Sequence, residues 1–339
     1  MKNTSHHILF ILVLFCTQLY SQNTENNDTF ENKMDNYKEK VKVQWRYNPL
    51  RIYETDKYFS SWLDPDNYNS SFWFGDILNI ESLYPNKNFD LANLILYFSP
   101  KLAVDLAPIA FNVDGDKHRF KIGVGYSLKL FFGSYKAGKD QLYGTTFLFS
   151  TYMQVEAYFE YIFNNKLKVR FAPLRHICAH IGGDILGDET LYDKNKEEFR
   201  DEGFEQMHLS AAYRWGWFSF YGGTSFAITG FKKSNIVNLF NVYSGIDIRF
   251  PIWGEMNLIT GVYVGAFLDE INTIIRNKKG DGYPAADSHN EWTPSISTGI
   301  GFEIYRFTIG IKYEYARSKQ LYAYRKMESR IGLETSLFF

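Results

Sequence analysis

The segment R-I-G-L-E-T-S-L-F-F, residues 330–339, alternates between polar and apolar side chains. Ile331, Leu333, Leu337 and Phe339 share one parity, and most positions between them hold glycine or a polar residue. Successive side chains of a β-strand point to opposite faces of the sheet, so these four residues would form one apolar face. The segment therefore predicts a two-faced β-strand, and its parity can be followed back along the chain.

The same period of two recurs in most segments after residue 119. Phe120, Ile122 and Val124, for example, alternate with Lys121 and Gly123. Further alternating segments lie at residues 147–161, 168–181, 207–214, 246–249 and 307–315. From Phe120 onward about ten strands are expected, and residues 91–99 and 102–111 would add two. We therefore predict an all-β fold, an antiparallel transmembrane β-barrel of about twelve strands.

A soluble β-sandwich also alternates, so the membrane assignment rests on further features. Residues 120–132 and 295–305 reach the roughly 9–11 residues that a tilted spanning strand needs. Connections alternate between short and long, as in transmembrane barrels. The short ones are at residues 164–165, 214–217 and 305–306, and the long polar ones at 182–205 and 269–291. An aromatic-ended last strand also resembles the C-terminal signal that the barrel-assembly machinery recognises.

The N-terminus predicts export. Lys2, an apolar run at residues 8–15 and a short polar exit have the layout of a cleavable secretion signal. We therefore assign residues 1–21 to a signal peptide, 22–40 to a flexible periplasmic lead-in and 41–339 to the barrel. Cys16 suggests a lipoprotein as an alternative, but the bulky Phe15 before it opposes lipid attachment.

Composition excludes some classes of function. The formal charge of the 339 residues is −1, so no overall basic field would attract nucleic acid. Aromatic residues make up 18% of the chain, which suits a protein that sits between an apolar layer and water. After the signal, no segment has the roughly 18 unbroken apolar residues of a spanning helix.

One segment, K-V-R-F-A-P-L-R-H-I-C-A-H-I-G-G-D at residues 168–184, combines histidine and cysteine. Strict alternation from Val169 and Phe171 puts the polar residues of this segment on the lumenal face, near the extracellular mouth. Glutamates of the preceding strand would face them. The predicted lumenal polar cluster consists of Lys168, Arg170, His176, Cys178, His180, Glu156 and Glu160.

Three kinds of chemistry fit the cluster. His176, Cys178 and His180 could bind zinc or another transition metal, with Asp184 or Asp188 completing the ligand set. Alternatively, Cys178 would be the nucleophile of an acyl hydrolase and His176 its base. This pair is similar to the histidine and serine, two residues apart, of outer-membrane phospholipases and lipid A deacylases, but those enzymes meet lipid on the outer wall. The third alternative is a structural network in which the histidines hydrogen-bond to Glu156 or Glu160.

The stretch H-I-C-A-H-I-G-G-D, residues 176–184, resembles the His-x-Ser-Ser-His-Leu-Gly-Asp-Glu signature of the bacterial family called domain of unknown function 1207. Both histidines and Gly182 match in register, and Tyr84-Pro85 corresponds to an early Phe-Pro motif. The two serines of the signature are Cys178 and Ala179 here. The resemblance implies an exported barrel with an aromatic-ended last strand, in which any chemistry of those serines is lost or altered.

Together these patterns predict a monomeric barrel in the outer membrane of a Gram-negative-type bacterium, without a resident cofactor. The leading functional hypothesis is a narrow solute conduit or ligand-binding barrel. The alternatives are a lipid- or lipopolysaccharide-modifying hydrolase using His176 and Cys178, and a structural partner in an envelope complex, tethered by residues 22–40. Expected contacts are membrane lipid, lipopolysaccharide and the barrel-assembly machinery. The acidic residues 188–205 predict a solvated loop, with calcium binding as the alternative.

Overall fold

The computed structural model describes residues 41–45, 56, 59–80, 94–115, 117–135, 145–181, 202–230, 236–276, 282–317 and 327–338. Its strands are β1 (Val41–Trp45), β2 (Ser70–Ile80), β3 (Leu94–Val113), β4 (His118–Tyr135), β5 (Thr145–Phe163), β6 (Leu167–Ile181), β7 (Glu202–Trp215), β8 (Phe218–Gly230), β9 (Ile236–Trp253), β10 (Met256–Arg276), β11 (Gly282–Ile304), β12 (Phe307–Arg317) and β13 (Met327–Leu337). No helix in these ranges is long and apolar enough to cross a membrane. The signal peptide and the lead-in, residues 1–40, lie outside the described residues, and their assignments stay predictions.

Strands β2 to β13 form one closed antiparallel sheet. Each pairs with its neighbours in the chain, β13 also pairs with β2, and β2 pairs with β3 through residues 71–75 and 97–101. β1 adds a short strand alongside residues 109–113 of β3. Because the sheet is closed, the backbone groups of each strand can form hydrogen bonds with a strand on either side. Closure also removes the free edges of the sheet. The predicted fold class, an antiparallel barrel of twelve strands, is confirmed.

Two details of the strand prediction are wrong. The segments predicted at residues 91–99 and 102–111 are not two strands, because alternation continues through Pro100 and residues 94–99 and 102–111 both belong to β3. The twelfth strand is β2, at residues 70–80, where no strand was predicted. The long loop predicted at residues 269–291 is mostly strand, since β10 and β11 stay paired as far as Arg276 and Gly282. At this end of the barrel the apolar outer face stops before the strands do. Polar side chains therefore do not show where the hydrogen-bonded ladder ends.

Short turns join alternate strand pairs at one end of the barrel, which we call the short-turn end; the opposite end is the loop end. Asn164 and Asn165, between β5 and β6, have φ of 50° and 52°. Both central residues of a type I′ hairpin turn need positive φ, which asparagine tolerates better than most residues. Gly216, Gly254 and Tyr305 adopt positive φ in the corresponding turns. The short turns predicted at residues 164–165, 214–217 and 305–306 are thus confirmed.

The barrel wall is apolar outside and polar inside. On β11, Ile300 and Phe302 are 53% and 47% exposed, whereas Ser297 and Glu303 are 0% and 5% exposed. On the last strand, Ile331, Leu333 and Leu337 face outward as their parity predicts. Phe339 lies outside the described residues. This inside-out pattern is typical of a barrel whose outer face meets lipid.

Residues 59–69, which precede β2, occupy the lumen, and we call this segment the plug. Trp62 and Leu63 are 2% and 0% exposed. The backbone N–H of Trp62 donates to Asp247 Oδ2 at 2.8 Å, and Arg249 Nη2 donates to the carbonyl oxygen of Ser60 at 3.1 Å. A barrel wall that carries partners for the plug's backbone groups can hold an irregular segment in its interior.

Candidate functional site

Strand β6 contains a β-bulge between Ala172 and Arg175. Against β7, Ala172 pairs with His208 and Arg175 pairs with Gln206, so three steps along β6 match two steps along β7. The same excess of one residue appears against β5. Pro173 lies inside the bulge, where its missing N–H removes nothing from the regular ladder.

The bulge reverses the faces of β6 beyond residue 174. Arg175 and Ile177 are buried in the lumen, and Ile177 pairs with the lumenal Gln154 of β5. His176 pairs with the outward-facing Val155 and with Glu205 of β7. An extra residue moves every later side chain to the other face.

The prediction that His176, Cys178 and His180 face the lumen is therefore wrong. All three lie on the outer face of β6, toward the loop end of the barrel. The prediction extended strict alternation from Phe171 and so did not account for the one residue that the bulge adds. The hydrogen bonds expected from the two histidines to Glu156 or Glu160 are excluded for the same reason.

The remaining members of the predicted lumenal cluster do lie in the lumen, because they precede the bulge or belong to β5. Arg170 Nε donates to Glu160 Oε2 at 2.8 Å, and Lys168 Nζ donates to the carbonyl oxygen of Phe59 at 3.1 Å. Glu156 is 1% exposed and bonds to arginines of β6. The sequence-based cluster is thus divided between the two faces of the wall.

The outward group combines a histidine, a thiol and a carboxylate. His176 Nδ1 lies 3.3 Å from Oε1 of Glu205, which stands opposite it on β7. Cys178 follows two positions further along the same face of β6, between Met153 of β5 and Gly203 of β7. The imidazole of His176 is partly exposed, whereas Cys178 is largely covered. We call His176, Cys178 and Glu205 the outer-wall triad.

The triad has the components of covalent acyl-transfer chemistry. A nucleophile needs a base within reach, and the base needs a third group that fixes its tautomer. Glu205 at Nδ1 leaves Nε2 of His176 as the nitrogen that can serve the thiol. Same-face neighbours on a strand are about 6.6–6.8 Å apart at Cα, a distance that an imidazole and a cysteine side chain can bridge.

The metal site predicted from His176, Cys178, His180 and Asp184 is not supported by the placement of its described members. The first three share one face, as a common ligand set requires, but that face is the outer one. Asp184 lies outside the described residues. Within the described ranges, no group of three histidine, cysteine, aspartate or glutamate residues is placed to hold a metal ion.

Sequence reasoning missed both the bulge and Glu205. The signal for the bulge was Pro173, because proline inside a strand is confined to edges and bulges. Glu205 was assigned to an acidic loop, whereas β7 begins at Glu202 and carries Glu205 in its ladder. Pairing between strands that are distant in sequence decides which residue faces His176.

Buried polar groups and the plug fill most of the lumen behind the triad. A cavity of about 120 Å³ remains between the plug and β3 to β10, and a second of about 60 Å³ lies nearer the loop end, beside Ile177 and Phe204. Since one water occupies about 30 Å³ in the liquid, these spaces suit a few waters or a small polar molecule.

Comparison with known proteins bears on the fold alone. No protein-family model matches the chain, and no curated protein matches it. Among solved structures, outer membrane phospholipase A from Escherichia coli has 10% identity over 80% of this chain and 92% of that chain, with a TM-score of 0.45. LpxR from Salmonella typhimurium has 10% identity, 80% and 100% coverage and a TM-score of 0.37. OprB from Pseudomonas putida has 8% identity, 80% and 94% coverage and a TM-score of 0.30. Similarity at these levels says nothing about activity.

Proposed function

We propose that this chain is an outer-membrane barrel that hydrolyses acyl esters of membrane lipids at its outer wall. The observation that carries the proposal is the outer-wall triad, in which His176 Nδ1 lies 3.3 Å from Glu205 Oε1 and Cys178 shares their face. A histidine-bonded carboxylate on the lipid-facing side of a barrel is costly without a role, because ionisable groups are disfavoured there.

The chemistry follows the roles of the three side chains. Nε2 of His176 takes the thiol proton, and Sγ of Cys178 attacks the ester carbonyl carbon. The alcohol leaves with the proton returned by His176, and a thioester remains on Cys178. Water activated by His176 then releases the fatty acid and restores the thiol. Glu205 keeps the imidazole oriented and stabilises its charged form.

The substrate class follows from the position of the triad. In transmembrane barrels of this type, short turns face the periplasm and longer loops face outside. The triad lies toward the loop end, so it would meet the outer leaflet, where phospholipid or lipopolysaccharide supplies the ester. Membership of the family called domain of unknown function 1207, proposed from residues 176–184, would fit an enzyme whose serine position is occupied by Cys178.

The conduit hypothesis has less support. Trp62 and Leu63 of the plug are buried in the lumen, and polar groups of three strands, β5, β6 and β9, bond to the plug's backbone. A solute path would require this segment to leave. A role for the barrel as a partner in an envelope complex, or a client of the barrel-assembly machinery, does not conflict with hydrolysis.

The test uses the refolded full chain in micelles, assayed with a p-nitrophenyl acyl ester and with phosphatidylethanolamine. We expect Cys178→Ala to abolish hydrolysis and His176→Asn to lower kcat by roughly 10²–10⁴-fold, the range of a general base. Glu205→Gln should lower kcat with little change in KM.

Matched controls are His118→Asn and Glu255→Gln, which change a histidine and a glutamate at the short-turn end. Both should keep the wild-type rate. Hydrolysis that survives Cys178→Ala unchanged would exclude the triad as the active site.

A further inference from the structure

Two arginines on either side of the bulge bind the same carboxylate. Arg170 Nη1 lies 3.3 Å from Oε1 of Glu156, and Arg175 Nε lies 2.9 Å from Oε2. The two arginines are five positions apart in the sequence, so strict alternation would send them to opposite faces of the wall. Both reach the lumen because the bulge lies between them.

The bulge has a competing arrangement. If the strand beyond Ala172 slipped by one residue, the bulge would disappear and the ladder would become regular. That slip would turn His176 and Cys178 into the lumen and Arg175 toward lipid. The observed faces therefore need an interaction that the regular strand would lose.

We propose that the ion pair between Arg175 and Glu156 is the positioning element that holds this bulge and so presents His176 and Cys178 to lipid. The catalytic meaning of the inference rests on the proposed function, whereas the geometry can be tested alone. Arg175 and Glu156 act through the backbone of β6 and touch no substrate, so they are positioning residues.

Burial and additional partners make the pair a strong constraint. Arg175 and Glu156 are 6% and 1% exposed. Nη2 of Arg175 also lies 2.6 Å from His208 Nδ1, and His208 Nε2 lies 2.9 Å from the Tyr243 hydroxyl. A slip would break these contacts together and leave Glu156 with one arginine fewer. It would also expose a guanidinium to the apolar side of the wall, which is disfavoured.

The experiment reports which residue faces lipid. Single cysteines are introduced as His176→Cys or Ile177→Cys in the full chain carrying Cys16→Ser and Cys178→Ser, and each is labelled with a bimane fluorophore. The proteins are refolded into phosphatidylcholine vesicles with and without brominated acyl chains. With Arg175 present, brominated lipid should quench the probe at position 176 more than the probe at 177.

Arg175→Leu should invert this ratio, because leucine is tolerated toward lipid and the ion pair with Glu156 is lost. Glu156→Leu should lower this ratio without fully inverting it, because Arg175 loses its carboxylate partner while its guanidinium still disfavours the lipid side. This second variant keeps the test available where Arg175→Leu does not fold. Arg175→Lys should retain the original ratio, because the lysine ammonium keeps the positive charge that pairs with Glu156. Only material with heat-modifiable gel mobility is measured, so that unfolded protein does not contribute.

The control is Lys312→Leu, which removes another buried lumenal cation, paired with Glu314 at 2.9 Å on a strand without bulges. Its quenching ratio should match that of the parent. An unchanged ratio in both Arg175→Leu and Glu156→Leu, or an inverted ratio in Lys312→Leu, would overturn the inference. The readout does not depend on hydrolysis, so an inactive wild type with the expected ratios would refute only the proposed function.

Discussion

Arg175 and His176 are neighbours in the chain and lie on opposite sides of the barrel wall. Arg175 donates to Glu156 in the lumen, and His176 binds Glu205 on the outer face. The polar network inside the barrel and the triad outside it are therefore connected through one peptide unit. A change in the lumen can alter the presentation of the triad without touching it.

Because the bulge contains one extra residue, we expect the barrel to tolerate the deletion of Pro173. Removing Pro173 places Leu174 directly after Ala172, so the ladders to β5 and β7 become regular while Arg175 stays inside and His176 outside. We expect this variant to keep its hydrolysis rate within a few-fold and to remain heat-modifiable on gels.

Deletion of Ile177, on the other side of Arg175, is the matched control. It removes one residue from a regular stretch, so Cys178 would take a lumenal position while His176 stays outside. Loss of activity after the Pro173 deletion, together with retention after the Ile177 deletion, would contradict the assignment of faces.

A charged substitution on the outer face of the barrel should be more destabilising at the middle of the membrane than near its surface. Ile300 is 53% exposed at the middle of the residue pairs that join β11 to β12. Ile300→Lys should lower the free energy of unfolding in a bilayer by about 2–4 kcal/mol. Trp253→Lys, at an 82% exposed residue of the short-turn end, should cost about 0–1 kcal/mol. Urea titrations in lipid vesicles measure both, and equal costs would argue against a lipid-facing wall.

The plug should block conduction. Trp62 and Leu63 are buried apolar residues of the plug, and truncating such residues costs roughly 2–5 kcal/mol each. We expect no steady current from the wild type in planar bilayers and intermittent openings from the double variant Trp62→Ala, Leu63→Ala. Trp253→Ala, on the outside, should stay closed. A steady wild-type current would show that the plug leaves the lumen under these conditions.

Sequence reasoning succeeded where one rule, alternation, applied without interruption. It predicted about ten strands from Phe120 onward, which is the number from β4 to β13, together with the short turns and the lumenal positions of Arg170, Glu156 and Glu160. It failed at Pro100, where a proline did not end a strand, and at Pro173, where a proline marked a bulge. The residue type is the same in both cases, and only pairing with neighbouring strands distinguishes them.

The sequence by itself determined that the chain forms a two-faced barrel, because a side-chain period of two and turn residues with positive φ are local properties. Only the tertiary structure decided how residues 59–69 occupy the lumen and which face carries His176 and Cys178. Both depend on groups brought together from distant parts of the chain, Asp247 with Trp62 and Glu156 with Arg175. Alternation in the last strand, residues 327–337, correctly predicts which of its side chains face outward. The same alternation cannot be extended along β6 to the triad, because the bulge adds one residue before His176.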